Sequence, residues 1–312
     1  MKKYLQQFRA SALLALLAPA LFLTGCNDDD DTPAQPTIAE VVNTNADFSL
    51  LRAAVTKAGL GSALSSGNLT VFAPNNAAFQ AAGLTEANIN ARSQAELAAV
   101  LQYHVINART PAADLPEAVN TPVTTLSNGT VYVTKAGSNV SVNGARVVQA
   151  DVAASNGVIH VIDRVLLPPL AGNIVQTAVA NSDNFSYLVA AVQRANLAGT
   201  LSGPGPLTVF APVNQAFIAA GFATIADIQA AEPAALARIL TYHVVPSRVY
   251  STNLVNGNVL TAQGSNVSIN LGTGVQVTGL GNNGNAANVL LPNVTTTNGV
   301  IHAIDRVLLP AN

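Results

Sequence analysis

The stretch "NGVIHVIDRVLLP" (Asn156–Pro168) returns as "NGVIHAIDRVLLP" (Asn298–Pro310), with one change, Val161 to Ala303. Each copy holds a histidine and an Asp-Arg pair inside a very apolar run. If residues 158–167 form one strand, apolar side chains lie on both of its faces, and we expect the strand to be covered on both sides. Its polar groups then need buried partners. Such a strand tolerates few changes, which can explain why the two copies match. A shared active site would explain the match too, but no nucleophile or paired carboxylate accompanies either copy.

Two further motifs recur in the same order. "LTVFAPNNAAF" (69–79) returns as "LTVFAPVNQAF" (207–217), and "LQYHVI" (101–106) returns as "LTYHVV" (240–245). The offsets, 138 and 139 residues, are close to the 142 residues that separate the two copies of the first motif. A period this long indicates two tandem globular domains rather than a solenoid.

The N-terminus does not read as part of either domain. The chain begins with positively charged residues, followed by a short apolar run that ends at "LTGC". Cys26 in this motif is the single cysteine of the chain. This resembles a bacterial lipoprotein signal, which implies that Cys26 is lipidated; an ordinary secretory signal is the alternative. We therefore expect a signal peptide over 1–25, an acidic disordered tether over 26–36, a first repeat over 37–169 and a second repeat over 170–312.

The coarse pattern within each repeat places helices early and strands late. Apolar residues at helical spacing run up to Gly59, which suits a helix end. "LTVFAP" reads as a buried strand, and Asn76 after it reads as the N-cap of a short helix, with Asn214 at the equivalent position. "AELAAVLQYHVI" reads as an amphipathic helix. Short strands follow, with a hairpin signal at Asn143-Gly144. This order favours an α+β fold.

With "TVFAP", the Tyr-His pair and "NGVIH" in this order twice, nearly the whole of residues 36–310 resembles a pair of fasciclin (FAS1) domains. The resemblance implies two compact domains, each a wedge of β-strands flanked by short helices. It also implies extracellular adhesion or matrix binding without catalysis. The family's Tyr-His motif falls on Tyr103-His104 and Tyr242-His243, which makes these pairs candidates for adhesive contact as well as for a structural role.

All four histidines of the chain occupy repeat-equivalent positions: His104, His160, His243 and His302. One hypothesis is a metal or acid–base site in each repeat. The other is a buried histidine whose ring nitrogens bond to the backbone and fix neighbouring elements. No HExxH motif is present, and no acidic residue stands at close ligand spacing. We therefore interpret the histidines, His160 and His302 in particular, as structural.

Asp151-Val152 stands just before the last strand, where relatives in animals carry an Asp-Ile pair within integrin-recognition motifs. The second repeat has Asn293 at this place, so the acid is lost. We interpret Asp151 as a turn or capping residue, and an adhesive contact is the alternative.

The amino-acid composition argues against further classes of function. The formal net charge is −2, charged residues make up 10 % and tryptophan is absent, so no basic or base-stacking surface for nucleic acid is expected. No nucleophile motif or phosphate loop occurs, and no cofactor or metal is predicted.

We expect a non-catalytic adhesion or matrix-binding protein of the bacterial cell envelope. Its lipid would hold it to a membrane, at the outer membrane or cell surface rather than the inner membrane. Its ligand would be an extracellular protein or polysaccharide. The alternatives are a periplasmic hydrolytic or small-molecule-binding lipoprotein and a structural spacer.

Overall fold

The computed structural model describes residues 34–169 and 172–311. The predictions for the signal peptide, for Cys26 and for most of the tether lie outside the described residues. Within the described ranges, no helix combines the length and the apolar character needed to cross a bilayer.

The first repeat contains five α-helices, two 3-10 turns and seven strands. The helices are α1 Ile38–Thr44, α2 Ser49–Ala58, α3 Asn76–Ala81, α4 Glu86–Ala91 and α5 Gln94–Tyr103, and the 3-10 turns are Ala46–Phe48 and Ala112–Asp114. The strands are β1 Leu69–Pro74, β2 Val105–Ile106, β3 Thr121–Thr124, β4 Thr130–Ala136, β5 Asn139–Val142, β6 Ala145–Ala154 and β7 Gly157–Ile162.

The second repeat follows the same order with one extra helix. Its helices are α6 Ile174–Ala180, α7 Ser182–Arg194, α8 Ala198–Ser202, α9 Asn214–Ala219, α10 Ile225–Ala230 and α11 Pro233–Tyr242, and its 3-10 turns are Ser251–Asn253 and Leu280–Asn282. The strands are β8 Leu207–Pro212, β9 Val244–Val245, β10 Gly257–Leu260, β11 Asn266–Asn270, β12 Gln276–Gly279, β13 Ala287–Thr296 and β14 Gly299–Ile304.

Each repeat builds one seven-stranded sheet with the same topology. The order is β2-β1-β7-β6-β5-β4-β3 in the first repeat and β9-β8-β14-β13-β12-β11-β10 in the second. The pairs β1–β7 and β8–β14 are parallel, and all other pairs are antiparallel. Helices flank a largely antiparallel sheet, so the predicted α+β fold with two tandem wedges is confirmed.

The duplicated strand separates two hydrophobic cores, which explains why it is apolar on both faces. All six residues of β7 are buried. Ile159 and Val161 point into the core beneath the helices, together with Val71 of β1. Ile162 and Phe72 point the other way, into a second core that β4 and β5 help to form. The prediction that both faces are covered is confirmed.

The predicted length of this strand is wrong, because β7 ends at Ile162 rather than continuing to residue 167. Asp163 turns its carboxylate back to accept from the Arg146 backbone N–H at 2.7 Å. Beyond it, the Leu166 N–H donates to the His104 ring rather than to a neighbouring strand. The chain therefore leaves the sheet where its backbone bonds go to side chains.

Two further local predictions are confirmed, and one helix was not predicted. Gly59 ends α2 in the left-handed conformation, at φ 70°, and the turn after β5 joins it to β6 as a hairpin; both predictions are confirmed. The helix α4 was not predicted, since its sequence "EANINA" has a single buried residue, Ile89. The helix α5 ends at Tyr103, and the residues after His104 form the short strand β2.

The second repeat is longer between β12 and β13, and this insertion binds the C-terminal segment. Its Asn282 side chain is buried, donates to the Val307 carbonyl at 2.9 Å and accepts from the Leu309 N–H at 2.8 Å. The extra residues therefore hold the end of the chain against the sheet.

Candidate functional site

The histidines of the two Tyr-His motifs tie the end of a helix to the segment that follows the duplicated strand. His104 Nδ1 bonds to the Val100 carbonyl at 2.7 Å, and its Nε2 accepts from the Leu166 N–H at 2.9 Å. Because Nε2 is an acceptor, the ring is neutral with its proton on Nδ1. His243 repeats this arrangement with Ile239 and Leu308, at 2.8 and 2.9 Å. Burial lowers the pKa of both imidazoles to about 4.

The other two histidines stand in the duplicated strands. His160 Nε2 bonds to the Thr110 carbonyl at 3.0 Å, and its Nδ1 accepts from the Asp151 N–H at 3.3 Å. His302 bonds in the same way to Val249 and Asn293, at 2.9 and 3.3 Å. Burial lowers the pKa of His302 to about 4. Since every ring nitrogen of the four histidines has an internal partner, the rings join elements of the fold.

Asp151 lies at a bulge of β6, where the pairing with β7 shifts register. Its backbone is left-handed, at φ 58°. Its carboxylate accepts from the Ala112 N–H at 2.8 Å, at the start of the 3-10 turn Ala112–Asp114. Asn293 holds the equivalent turn through the Ser251 N–H at 2.7 Å. Val152 packs half-buried against the helix-side core. The capping role suits Asp and Asn alike, since both supply a side-chain oxygen.

Both tyrosines of the Tyr-His motifs are fully buried. The Tyr103 hydroxyl donates to the Thr130 carbonyl at 2.7 Å and accepts from the Asn143 amide at 2.9 Å. Burial raises the pKa of Tyr103 far above its usual range. The Tyr242 hydroxyl donates to the Asn266 carbonyl at 2.5 Å and accepts from the Leu280 N–H at 3.0 Å. The structure therefore places neither motif on a surface where a ligand could reach it.

The predicted N-cap at Asn76 is wrong by one residue. Asn75 is the N-cap of α3 and accepts from the Ala78 N–H at 2.8 Å. Asn76 instead accepts from the Leu50 N–H at 3.0 Å and donates to the Ala46 carbonyl at 2.9 Å. It thus holds the start of the preceding helix, α2.

Asn214 has the same role in the second repeat. It accepts from the Tyr187 N–H at 3.1 Å and donates to the Asp183 carbonyl at 2.9 Å. The first residue before α9 is Val213, which offers no side-chain cap. Both asparagines are structural, but they cap a helix that lies upstream in the chain.

Comparison with known proteins agrees with this repeated architecture. The model of the fasciclin domain matches twice, over residues 46–168 and 183–310.

The chain belongs to the fasciclin family.

Relatives of this fasciclin chain occur in animals and bacteria. It is 32 % identical to human periostin over 252 residues, which cover 78 % of this chain and 28 % of periostin. It is 32 % identical to the transforming growth factor-beta-induced protein ig-h3 of Sus scrofa over 251 residues, which cover 78 % of this chain and 35 % of ig-h3. A protein of Synechocystis sp. is 41 % identical over 142 residues, 45 % of this chain and 74 % of that protein. The chain thus spans about a third of the length of these two animal relatives.

Among solved structures, the FAS1 domain pair from the insect cell adhesion molecule fasciclin I is similar, with a TM-score of 0.41 and 23 % identity. The likeness covers 83 % of this chain and 95 % of the insect chain.

The two fasciclin repeats meet in a polar junction that the sequence did not predict. In the first repeat, β4, β5 and the turns next to β3 and β5 contact the second repeat. They meet the segment 248–253 and Asn293 of β13. Five hydrogen bonds cross the junction: Asn120 Nδ2 to Arg248 O at 2.6 Å, Asn253 Nδ2 to Thr134 Oγ1 at 3.1 Å, Ser141 Oγ with Thr252 Oγ1 at 3.1 Å, Tyr250 OH to Asn143 Oδ1 at 3.2 Å and Asn293 Nδ2 to Gly144 O at 3.3 Å.

Tyr250 is the buried centre of this junction, with 1 % of its surface exposed. Its hydroxyl donates to Asn143, whose amide donates to Tyr103. A buried chain of hydrogen bonds therefore runs from the Tyr-His motif of the first repeat into the second. Burial raises the pKa of Tyr250, so its hydroxyl stays protonated near neutral pH and remains a donor.

Gly144 lies close to the side chain of Asn293 across the junction. Gly144 has φ 76°, and a Cβ added to it would collide with the side-chain amide of Asn293. Gly137 also has a positive φ, 58°, but an added Cβ there would have no neighbour within 4 Å. Alanine substitutions at the two glycines therefore distinguish the effect of backbone strain, which both share, from the effect of a collision at the junction, which only Gly144 has.

The residues that make the junction differ between the two repeats. Tyr250 corresponds to Pro111 of the first repeat, which lacks a hydroxyl. Tyr132 corresponds to Ser268 of the second, as the pairing of the neighbouring strands shows. Neither repeat offers the same contact a second time. A comparison of the two repeats could have marked these positions, since they break an otherwise close internal match.

Beside the junction lies an open cleft of about 420 Å³ with walls from both repeats. It is lined by Asn120, Tyr132, Gly205, Pro206, Arg248, Thr297 and Asn298. The Arg248 guanidinium carbon lies 4.0 Å from the centre of the Tyr132 ring, an arrangement in which the cation is attracted to the aromatic face. In the described ranges, no group of three His, Cys, Asp or Glu side chains is placed to hold a metal ion.

Proposed function

We propose that this chain is a non-catalytic adhesion protein, held in the bacterial cell envelope by a lipid on Cys26, that binds an extracellular protein or polysaccharide. The observation that carries the proposal is the family match over both repeats. The family resemblance implies an adhesive role, and two fasciclin domains account for nearly the whole of residues 46–310 here.

The internal bonding of the histidines supports a non-catalytic role. A general acid or base needs a pKa near the working pH and access to substrate. His104, His243 and His302 are buried, with pKa values lowered to about 4. Their ring nitrogens already bond to the backbone, so these side chains contribute to stability rather than to proton transfer.

The buried Tyr-His motifs also direct the search for the adhesive surface. Since Tyr103, His104, Tyr242 and His243 are at most 2 % exposed, ligand contact must come from other groups. We expect the polar Asn, Thr and Gly loops and the edge strands to supply those groups. Charged residues make up only 10 % of the chain, so we expect adhesion to depend weakly on salt.

A binding assay with the fragment 35–312 tests the adhesive role. This fragment contains both repeats as one compact unit. It is applied to immobilised matrix proteins and surface glycans, with the heat-denatured fragment as control. Retention of the native fragment alone supports the proposal. Absence of retention on every surface favours a structural spacer.

Membrane anchoring is tested separately with Cys26→Ser in the full chain. We expect the native chain to fractionate with membranes and to take up labelled fatty acid, and the variant to do neither. If Cys26→Ser still carries label and stays with membranes, the anchor is not at this cysteine. A variant that stays with membranes without label would indicate an uncleaved signal, which a shift in mass distinguishes.

A further inference from the structure

The cleft between the repeats carries a positive charge that the protein does not neutralise. Arg248 is half-buried, and its Nη1 donates to the Gly299 carbonyl at 2.8 Å. Among the described residues, no carboxylate lies within 4.0 Å of this guanidinium. A guanidinium presents five donors in a planar fork that matches a carboxylate. The group is therefore suited to an anion that enters the cleft.

The position of Arg248 is fixed from both repeats. Asn120 of the first repeat donates to its backbone carbonyl at 2.6 Å, and the Tyr132 ring lies against its guanidinium. Gly299 of the second repeat holds Nη1. A side chain held by two contacts on an anchored backbone loses little conformational freedom when it binds a ligand, which favours binding.

Other residues that line the cleft offer hydroxyl groups and apolar surface. The exposed Thr297 brings a hydroxyl and Tyr132 a phenolic hydroxyl, and within the described ranges neither hydroxyl has a hydrogen-bond partner in the protein. Pro206 and the ring of Tyr132 add apolar surface. The volume, about 420 Å³, lies toward the lower end of the range of small-molecule sites. One fixed cation, hydroxyls and a small apolar face together suit a hydroxylated carboxylate.

We propose that this cleft binds an acidic sugar, a monosaccharide unit whose carboxylate pairs with Arg248 and whose hydroxyls meet Thr297 and Tyr132. The site requires both repeats, because Tyr132 comes from the first and Arg248 from the second. It goes beyond the adhesive function, which needs no charged ligand.

The chain supplies its own control residue. Arg109 occupies the position in the first repeat that Arg248 occupies in the second. It is exposed and does not line the cleft. Removing either arginine changes the net charge equally, so only a local effect distinguishes the two variants.

The test is a titration of the fragment 35–312 with glucuronate and galacturonate, followed by NMR chemical shifts or calorimetry. Glucose and galactose are the neutral counterparts, and inorganic phosphate tests for a general anion site. We expect both uronates to bind at least tenfold more tightly than the neutral sugars or phosphate. Arg248→Gln should weaken uronate binding at least tenfold, and Arg109→Gln should leave it unchanged. Raising NaCl from 50 to 500 mM should weaken it severalfold.

Arg248→Gln could also open the junction, so a second variant is needed. Thr297→Val removes a hydroxyl that takes no part in the junction bonds, and we expect threefold to tenfold weaker uronate binding with unchanged thermal stability. Equal binding of neutral sugars, equal binding of phosphate, or equal effects of Arg248→Gln and Arg109→Gln would overturn the proposal. Adhesion that is insensitive to salt and to Arg248→Gln would leave the adhesive function intact, so the two proposals fail separately.

Discussion

Lowering the pH from 7 to 5 should destabilise the fold through three buried histidines. Burial lowers the pKa of His104, His243 and His302 to about 4, whereas an exposed histidine titrates near about 6.5. The unfolded chain therefore binds protons that the folded chain excludes between these two values. Stability is complete above about pH 6.5 and falls as the pH drops toward about 4, where the loss levels off.

The size of this loss follows from the two pKa values. Between pH 7 and pH 5 each histidine should lower the free energy of unfolding by about 2 kcal/mol. The three groups together should then lower the free energy of unfolding by about 6 kcal/mol. Domains are typically stable by about 5–15 kcal/mol, so a loss of this size should be measurable by denaturant unfolding.

Urea unfolding of the fragment 35–312 at pH 7, 6 and 5, followed by circular dichroism, measures the effect. Carboxylates with ordinary pKa values protonate mainly below about pH 4.5, so this window reports chiefly on histidine. The matched variant is His302→Phe, which keeps a ring against Phe210 (5.5 Å between ring centres in the native chain). It should be less stable at pH 7 by about 1–3 kcal/mol, because the Val249 carbonyl and the Asn293 N–H lose their partner.

The same variant should lose about a third of the pH dependence, since one of three proton sites is gone. A native chain equally stable at pH 7 and pH 5 would refute the reasoning. So would a His302→Phe variant with the full native pH dependence, because the proton uptake would then come from other groups.

Three further predictions concern the contacts described above. Gly144→Ala should destabilise more than Gly137→Ala and split the calorimetric unfolding of the two repeats into separate transitions, because only the first collides with Asn293; identical melting curves would argue against a tight junction. Asn76→Ala should lower the free energy of unfolding by about 1–3 kcal/mol, as the Leu50 N–H loses its acceptor, and a change below the error of urea unfolding would contradict this. Asn282→Ala should speed hydrogen exchange at the Leu309 N–H, which it holds at 2.8 Å; unchanged protection would show that the C-terminal segment is held by other contacts.

The predictable part of the fold came from motifs that repeat within one chain. Two copies of "NGVIH" with apolar faces on both sides led correctly to a covered strand, because that pattern depends on burial alone. The end of the strand could not be read from it. Leu166 bonds to His104, 62 residues earlier, and a pattern of apolar residues does not show such a partner.

The candidate site was predicted less completely. The structural interpretation of the histidines followed from their repeat-equivalent positions and from the lack of acidic residues at ligand spacing in the sequence. The structure nevertheless brings the Asp151 carboxylate to 3.9 Å from His160 Nδ1, which sequence spacing did not show. The junction was missed because its contacts join residues far apart in sequence, such as Tyr250 and Asn143, which are 107 residues apart. The Asn76 error has the same cause on a smaller scale, since its partner Leu50 lies 26 residues upstream.

The adhesive role itself is tested most directly by the attachment of cells that make the protein. Attachment to matrix-coated and glycan-coated surfaces is compared between the parent strain, a deletion strain and the parent strain with excess soluble fragment 35–312. We expect deletion to reduce attachment, the soluble fragment to compete with the cells, and both effects to persist at high salt. Equal attachment of the parent and deletion strains, with no competition by the fragment on any surface, would contradict it.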